Sequence, residues 1–264
     1  MTLSDVLLSD VLLSDVLLLC LAALLAGTLD AVVGGGGLVQ LPALLLVLPH
    51  SPVVALLGTN KLASVVGTGS AAVTYARRVP VDAGTAVPMA AAAFAGAGLG
   101  AALATSVPGS ALKPVVLVAL IGVLAFTARR PALGEVEALR LQPAAQRTVA
   151  LLGGAGIGFY DGLIGPGTGS FLVFLLVGLV GLSFLHASAT AKAVNTATNL
   201  AALLLFAWAG HVLWGLGLAM AACNVVGSQL GARLAIRRGS VWVRRVFLVV
   251  VGALVLRLAY DVLL

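Results

Sequence analysis

The sequence is poor in charged residues, which occupy only 9% of its 264 positions. Soluble domains carry about 25% charged residues, so this composition argues against a water-soluble globular enzyme. Disordered chains are polar and rich in charge, so the same shortage excludes intrinsic disorder. The protein must therefore fold in surroundings that tolerate an apolar surface.

Cysteine is scarce as well, since Cys20 and Cys223 are the whole complement and both lie in apolar stretches. No Cys-x-x-Cys pair and no Cys/His cluster occurs, so neither a disulfide framework nor a metal site is predicted. The chain also lacks a phosphate-binding G-x-x-x-x-G-K segment, an HExxH motif and the Ser/His/Asp spacing of a hydrolase. These absences predict a protein that is not an enzyme and needs no cofactor.

Apolar residues dominate instead, because 61% of the chain is hydrophobic and its mean hydropathy is +1.16. A membrane-spanning helix needs ~20 apolar residues, so this length holds roughly ten short spans and no sizeable soluble domain. The predicted fold class is an all-α integral membrane protein. Its net charge of +6 fits basic cytoplasmic loops rather than nucleic-acid binding.

The amino terminus is a short low-complexity repeat. The pentapeptide Leu-Ser-Asp-Val-Leu at 3–7 recurs at 8–12 and at 13–17. Because a period of five turns a helix by ~140° per copy, the three aspartates cannot share one polar face. We interpret residues 1–13 as an extension and expect the first membrane segment to begin near Ser14.

The rest of the chain is an internal duplication with a constant offset of 131 residues. Asp161 is the equivalent of Asp30, and Lys192 is the equivalent of Lys61. Glycine, threonine and methionine positions match at the same offset: Gly27 with Gly158, Gly34 with Gly165, Gly36 with Gly167, Thr59 with Thr190 and Met89 with Met220. Charged residues are rare inside membranes, so the coincidence of two Asp and two Lys indicates a true repeat.

Apolar stretches divide each half into five segments. They fall at about 14–33, 38–49, 52–76, 81–105 and 111–128, and again at about 146–164, 170–182, 186–209, 212–236 and 243–263. We therefore predict a first membrane repeat over 14–128, a cytoplasmic connecting loop over 129–145 and a second repeat over 146–264. About twelve residues rise only ~18 Å against a hydrocarbon core of ~30 Å, so the second segment of each half is broken or re-entrant.

Arginine predicts the orientation of the two halves. Eleven arginines lie in three clusters at the ends of apolar stretches or in the loops between them: Arg77, Arg78, Arg129, Arg130, Arg140, Arg147, Arg233, Arg237, Arg238, Arg244 and Arg245. All of them face the cytoplasm, as the positive-inside rule requires, if each half returns the chain to the opposite side. The two repeats are therefore predicted to be inverted, with both termini outside.

Two aspartates and two lysines at equivalent positions of the repeat lie within predicted membrane segments: Asp30, Lys61, Asp161 and Lys192. A charge at the centre of a spanning helix costs ~2.5–3.5 kcal/mol, so all four are expected to face the interior of the bundle. One interpretation is a functional site near the middle of the membrane. The alternative is two Asp–Lys pairs that only neutralise each other.

Polar residues share the helical faces of both lysines. Ser64 and Thr68 follow the first lysine at i+3 and i+7, and Asn195 and Asn199 follow the second at the same spacing. A purely structural ion pair needs no such stripe, whereas a bound anion needs a donor for each oxygen once water is removed. The pattern favours an anion site.

Glycine runs at 34–37 and 165–169 precede the short second segment of each half. Such runs break a helix and leave backbone N–H groups free at the start of the next one, where the partial positive charge attracts anions. Paired glycine-interrupted segments at matching positions are the best sequence indicator of a transporter's binding site. A tight turn or close helix packing is the alternative interpretation.

Four motifs together carry a family resemblance. They are Gly-Gly-Gly-Gly-Leu-Val-Gln-Leu-Pro at 34–42, Gly-Thr-Asn-Lys at 58–61, F-Y-D-G-x-x-G-P-G-T-G-S at 159–170 and A-x-A-T-A-K-x-x-N-x-x-x-N at 187–199. The chain resembles the TauE/SafE sulfite exporter family over about residues 15–263. The resemblance implies a multi-pass permease of the bacterial inner (plasma) membrane for sulfite, organosulfonates or related sulfur oxyanions.

We expect a secondary transporter of a small anion, coupled to the proton gradient by alternating access of the two halves. The expected substrate site consists of Lys61, Lys192, Thr59, Asn60, Asn195, Asn199, Gly36, Gly37, Gly167 and Thr168. Asp30 and Asp161 are expected to hold the lysines or to carry protons. An anion channel and a non-transporting membrane scaffold are the alternatives. The pairing of aspartates with lysines stays open, as does assembly into a homo-oligomer.

Overall fold

A computed structural model describes residues 13–104, 139 and 141–263, and the secondary structure of these residues is entirely helical. The helices are α1 (Leu13–Val33), α2 (Gly37–Val47), α3 (Val53–Ala76), α4 (Ala83–Ala104), α5 (Pro143–Leu163), α6 (Thr168–Leu175), α7 (Phe184–Trp208) and α8 (Trp214–Leu263). A π-helical turn, Leu176–Val180, continues α6. The all-α prediction is confirmed. The predicted segment at 111–128, most of the amino-terminal extension and most of the connecting loop lie outside the described residues.

Three helices are long and apolar enough to cross a membrane: α1, α4 and the Trp214–Val249 part of α8. Leu17, Leu21 and Leu25 follow one face of α1 and are 51–62% exposed, as expected of a surface in contact with lipid. Helix α2 has 11 residues and α6 has 8, so neither rises more than ~17 Å and neither spans the hydrocarbon core alone. The membrane-protein class predicted from composition is confirmed.

Helix α8 contains a sharp break at Gly239, which has φ 72° and ψ −176°. These angles lie outside the helical region, and glycine adopts them without the clash that a Cβ would cause. The break falls between the two last predicted segments, 212–236 and 243–263. The part of α8 before the break packs against other helices of the bundle. Helix α5 begins at Pro143, so its first residues lie inside the predicted connecting loop.

The offset of the duplication reappears in the packing of the helices. Helix α1 packs along α8, and α4 packs along α5. A Cβ placed on Gly227 would lie 2.0 Å from the carbonyl oxygen of Leu24, and one on Gly96 would lie 2.2 Å from that of Ala155. Leu24 and Ala155 are 131 residues apart in the sequence, and so are Gly96 and Gly227. Small residues at equivalent positions thus let the helix backbones approach closely in both halves.

The two lysine helices, which occupy equivalent places in the repeat, run antiparallel. A Cβ added to Gly58 of α3 would lie 3.0 Å from Phe206 of α7, whereas one added to Gly69 would lie 3.5 Å from Thr196. Residue numbers therefore rise along one helix as they fall along the other. Opposite directions of equivalent helices are what an inverted repeat requires. The count of five segments in each half and the domain boundaries stay predictions.

The only two cysteines of the chain offer a test of this packing. The thiols of Cys20 in α1 and Cys223 in α8 are neighbours where these two helices pack together. We expect a membrane-permeable oxidant to join them, because adjacent thiols can form a disulfide without a large backbone shift. The number of alkylatable thiols in the purified monomer, counted by mass spectrometry, should fall from two to none. Cys20→Ser should retain one alkylatable thiol after the same treatment. Two alkylatable thiols in the oxidised wild-type monomer would contradict the packing of α1 against α8.

Candidate functional site

The two glycine runs meet in the middle of the bundle. Gly34 has φ +82° at the end of α1, and its repeat equivalent Gly165 has φ +92° after α5. A Cβ on Gly34 would lie 2.2 Å from the carbonyl carbon of Gly169, so the two breaks touch backbone to backbone. Helices α2 and α6 both begin at this crossing of the two glycine breaks. Two helix ends with partial positive charge therefore point toward the same region.

Two buried ion pairs lie beside the crossing, and each joins the two halves. The Lys61 ammonium lies 2.8 Å from Asp161 Oδ2, and the Lys192 ammonium lies 3.0 Å from Asp30 Oδ2. All four residues are buried. The sequence left the pairing open, and the structure connects each lysine to the aspartate of the other repeat. Because each pair joins the two halves, either half alone would bury an aspartate and a lysine without their ion-pair partners.

The two ion pairs differ in the hydrogen bonds that their charged groups make. The Lys192 ammonium donates to both the carboxylate and the main-chain oxygen of Asp30. Thr68 Oγ1 donates a further hydrogen bond of 3.1 Å to Asp30 Oδ2. In the other pair, Thr168 Oγ1 lies 2.6 Å from Asp161 Oδ1, but Asp161 Oδ2 accepts no hydrogen bond from the described residues. Its contact with Lys61 is therefore an ion pair without hydrogen-bond geometry. The Lys61 ammonium thus keeps more of its hydrogen-bonding capacity for a ligand.

A small cavity, here called the central cavity, lies against this second pair. Its volume is about 20 Å³, which is enough for about one water molecule. Its lining consists of Asp30, Gly34, Gly37, Asn60, Lys61, Ser64, Thr68, Asp161, Gly165, Thr168, Gly169, Asn195 and Asn199. The polar stripes of both lysine helices and both glycine breaks thus converge on one small space.

The profile of the family described as "Sulfite exporter TauE/SafE" matches residues 19–258 of the chain. This match includes both ion pairs, both glycine breaks and every residue that lines the central cavity. The chain belongs to this family.

Bacterial relatives agree with that assignment. The chain is 40% identical to a probable membrane transporter protein, ORF9, of a Sinorhizobium species over 243 residues, which cover 92% of each protein. It is 34% identical to the probable membrane transporter protein YfcA of Escherichia coli, over 90% of this chain and 87% of that protein. A probable membrane transporter protein of Haemophilus influenzae is 32% identical over 89% of this chain and 91% of its own length. No solved structure matches the chain. This TauE/SafE protein is a membrane transporter and not an enzyme.

Four of the predicted site residues of this TauE/SafE transporter lie outside the lining of the central cavity. Lys192 lies behind Asp30, to which it is bonded. Thr59 donates to the carbonyl oxygen of Ala55 and accepts a hydrogen bond of 3.0 Å from the Leu213 backbone N–H. The other two, Gly36 and Gly167, occupy the N-cap positions of α2 and α6. The structure therefore brings together the lysine of α3, the asparagines and the helix starts.

Gln40 is a buried polar residue that sequence reasoning did not single out. Its Nε2 donates a hydrogen bond of 3.0 Å to Asn60 Oδ1, and its Oε1 accepts one of 2.8 Å from Asn224 Nδ2. The chain of bonds continues from Asn224 Oδ1 to the Ser228 hydroxyl. The signal was available, because a glutamine within the short apolar helix α2 must find a buried partner. Gln40 holds Asn60 at the wall of the central cavity.

Three hydroxyl groups satisfy the carbonyl end of α1 next to Asp30. Tyr75 donates to the carbonyl oxygen of Ala31 at 2.9 Å, Ser188 donates to that of Val32 at 3.3 Å, and Ser170 donates to that of Val33 at 3.0 Å. The last carbonyl groups of a helix have no partner within it, and leaving them unpaired inside a membrane is costly. These contacts allow α1 to end in the middle of the protein.

A substitution at the crossing tests how tightly the two breaks are packed. Gly34→Ala is expected to lower the free energy of unfolding by at least ~2 kcal/mol, because a positive φ strains alanine and the added Cβ meets backbone. Gly98→Ala is the matched control, because its new Cβ would meet no atom within 4 Å. Thermal unfolding of both purified variants in detergent measures the difference. Equal melting temperatures would show that the breaks do not touch as described.

Proposed function

We propose that this TauE/SafE transporter carries a small anion and that the anion binds in the central cavity beside Lys61. The observation that carries the proposal is the position of the Lys61 ammonium, which faces the cavity at the point where α2 and α6 begin. A cation and two helix amino ends attract negative charge. They act against the repulsion of the Asp30 and Asp161 carboxylates, which also line the cavity and are paired with Lys192 and Lys61. Broken helices that point their amino ends at an anionic group are a recurrent transporter design.

The chemistry of the lining supports a sulfur oxyanion, with sulfite or an organosulfonate as the first choices. Hydroxyl and amide groups of Asn60, Ser64 and Asn195 line the cavity next to the ammonium. Oxygen atoms of an anion need such donors when they leave water. The family description, sulfite exporter, agrees with this choice. Because the cavity now has room for about one water molecule, binding requires it to widen.

Proton coupling follows from competition for Lys61. An incoming anion and the Asp161 carboxylate both require the same ammonium. Protonating Asp161 removes its negative charge, so the ammonium can turn to the anion without leaving a buried carboxylate unpaired. A threonine hydroxyl contacts each carboxylate, Thr68 at Asp30 and Thr168 at Asp161, but only Asp30 also accepts a hydrogen bond from its lysine. We propose that Asp161 carries the coupled proton in the conformation described here.

Alternating access follows from the inverted relation of the halves. We propose that the second pair, Asp30 with Lys192, becomes the looser pair when the transporter faces the other side. The arginine-rich ends of the helices would face the cytoplasm of the bacterial inner membrane, in accord with the positive-inside rule. Asymmetry between two equivalent ion pairs would then report which side of the membrane the site faces.

Flux measurements in proteoliposomes separate this proposal from the alternatives. A proton-coupled transporter should give saturable sulfite flux that increases when a pH gradient is imposed in the favourable direction. An anion channel should give flux that does not saturate and does not respond to a proton gradient at fixed membrane potential. A scaffold should give no flux of sulfite, of an alkanesulfonate or of other small anions. The second or third pattern would contradict the proposal.

A further inference from the structure

A second polar cavity lies where α3 ends beside the middle of α8. We call it the arginine cavity. Its volume is about 380 Å³, and its polar lining is Thr74, Arg77, Arg78, Gln229, Arg233 and Arg237. Thr74 lies 13 residues beyond Lys61 on α3, which corresponds to ~20 Å along the helix axis. The arginine cavity is therefore separate from the central cavity.

The directions of the two helices explain why these arginines meet. A Cβ on Gly58 of α3 would lie 2.0 Å from the carbonyl oxygen of His211, which precedes α8, and one on Gly67 would lie 1.8 Å from Oδ1 of Asn224 in α8. Residue numbers rise together along both helices, so α3 and α8 run parallel and in close contact. The arginines that follow α3 and those in the middle of α8 thus reach the same end of the bundle.

The arginine cavity holds positive charge without a counter-charge from the part of the chain that the structure describes. No acidic side chain lines it, and none of its four arginines forms an ion pair within the described residues. Like charges gathered around one space repel each other until an anion neutralises them. The planar guanidinium group offers paired N–H donors that match the oxygens of a phosphate or sulfonate group.

The floor of the arginine cavity is built by hydrogen bonds between the two helices. The Thr74 hydroxyl lies 2.9 Å from Gln229 Oε1, and Gln229 Nε2 donates to the carbonyl oxygen of Ser70 at 3.0 Å. These contacts fix the amide of Gln229 and hold α3 against α8. The arginines therefore surround a fixed polar surface and are not merely scattered along a flexible loop.

We propose that the arginine cavity binds the phosphate- or sulfonate-type oxyanion group of an anionic ligand at the membrane surface. Two sources can present this group: a free oxyanion in solution and the phosphodiester headgroup of an anionic lipid. The volume lies within the ~300–1,000 Å³ typical of ligand pockets. Basic pockets between transmembrane helices on the cytoplasmic side are known places for lipid headgroups. The proposal does not depend on what the central cavity transports.

Protection of individual arginines from phenylglyoxal tests the proposal directly. The purified protein in nanodiscs of zwitterionic lipid is treated with the reagent, and modified peptides are quantified by mass spectrometry. One arm adds inorganic pyrophosphate, with chloride at equal ionic strength as its reference, and another arm includes cardiolipin in the nanodisc. Arg238 is the internal control, because it is exposed and adjacent to Arg237 but does not line the cavity.

Modification of the cavity arginines is expected to slow at least about threefold relative to Arg238 in one of the two arms, because bound oxyanions occupy guanidinium donors. Protection by pyrophosphate identifies a free oxyanion as a ligand, and protection by cardiolipin alone identifies a lipid headgroup. Equal rates for Arg238 and the cavity arginines in both arms would overturn the proposal. Gln229→Leu keeps every charge but removes the floor, so it should weaken the protection. Undiminished protection in Gln229→Leu would contradict the proposal that the hydrogen bonds of Gln229 form part of the binding site.

Discussion

Asp30→Asn combined with Lys61→Met is expected to destabilise the protein far more than Asp30→Asn combined with Lys192→Met. The two double variants remove the same kinds of charge, but only the second removes both members of one ion pair. The first leaves Asp161 and Lys192 buried without their partners. Breaking a buried pair by removing one partner costs ~3–5 kcal/mol, whereas replacing the whole pair is often nearly neutral.

Thermal unfolding of the two double variants in the same detergent measures this difference. The mismatched variant should melt well below the matched one or fail to accumulate in the membrane. The other ion pair allows the same test, because Asp161→Asn should be tolerated with Lys61→Met and not with Lys192→Met. Equal stability of matched and mismatched variants would contradict the pairing across the two halves.

Loss of transport in a folded protein is the second large effect. Asp161→Asn with Lys61→Met should retain the fold and lose sulfite flux by about tenfold to one hundredfold. The basis is that a hydrogen bond to a charged group is worth ~1.5–3 kcal/mol and each 1.4 kcal/mol is a factor of ten. Initial flux into proteoliposomes, compared at equal amounts of reconstituted protein, measures the loss. Undiminished flux would mean that Lys61 does not bind the anion.

Two buried threonines of α3 supply a matched control for that measurement. Thr68 lines the central cavity and bonds Asp30, whereas Thr59 contacts the backbone of Leu213 outside it. Thr68→Val should therefore reduce flux, while Thr59→Val should leave flux at the wild-type level once the amount of folded protein is matched. Similar losses in both variants would assign the effect to general damage of α3.

The central features of the fold could be predicted from the sequence because the rare residues are informative. Charged side chains are expensive within a membrane, so two Asp and two Lys at one offset mark both the repeat and the interior of the bundle. The glycine runs likewise predict broken helices, and Gly34 and Gly165 have the positive φ angles that such breaks need. In these places a single strong energetic cost determines the structure.

Other features depend on contacts between distant segments, which a single sequence does not display. Either aspartate could neutralise either lysine, and only the folded structure places each lysine beside the aspartate of the other half. The sequence predicts Thr59 as a site residue together with Asn60 and Lys61 of the Gly-Thr-Asn-Lys motif. A helix turns by ~100° per residue, so neighbours point in different directions, and Thr59 contacts Leu213 while Asn60 faces the central cavity.

Equilibrium binding of radiolabelled sulfite, with an alkanesulfonate measured in parallel, tests the anion site most directly. Binding separates occupancy of the central cavity from every later step of transport. Purified wild-type protein should bind one of these anions at a saturable site, and Thr59→Val should bind it equally well. The folded variant with Asp161→Asn and Lys61→Met should bind it about tenfold to one hundredfold more weakly. Unchanged affinity in that double variant would contradict the account, because the anion would then bind somewhere other than beside Lys61.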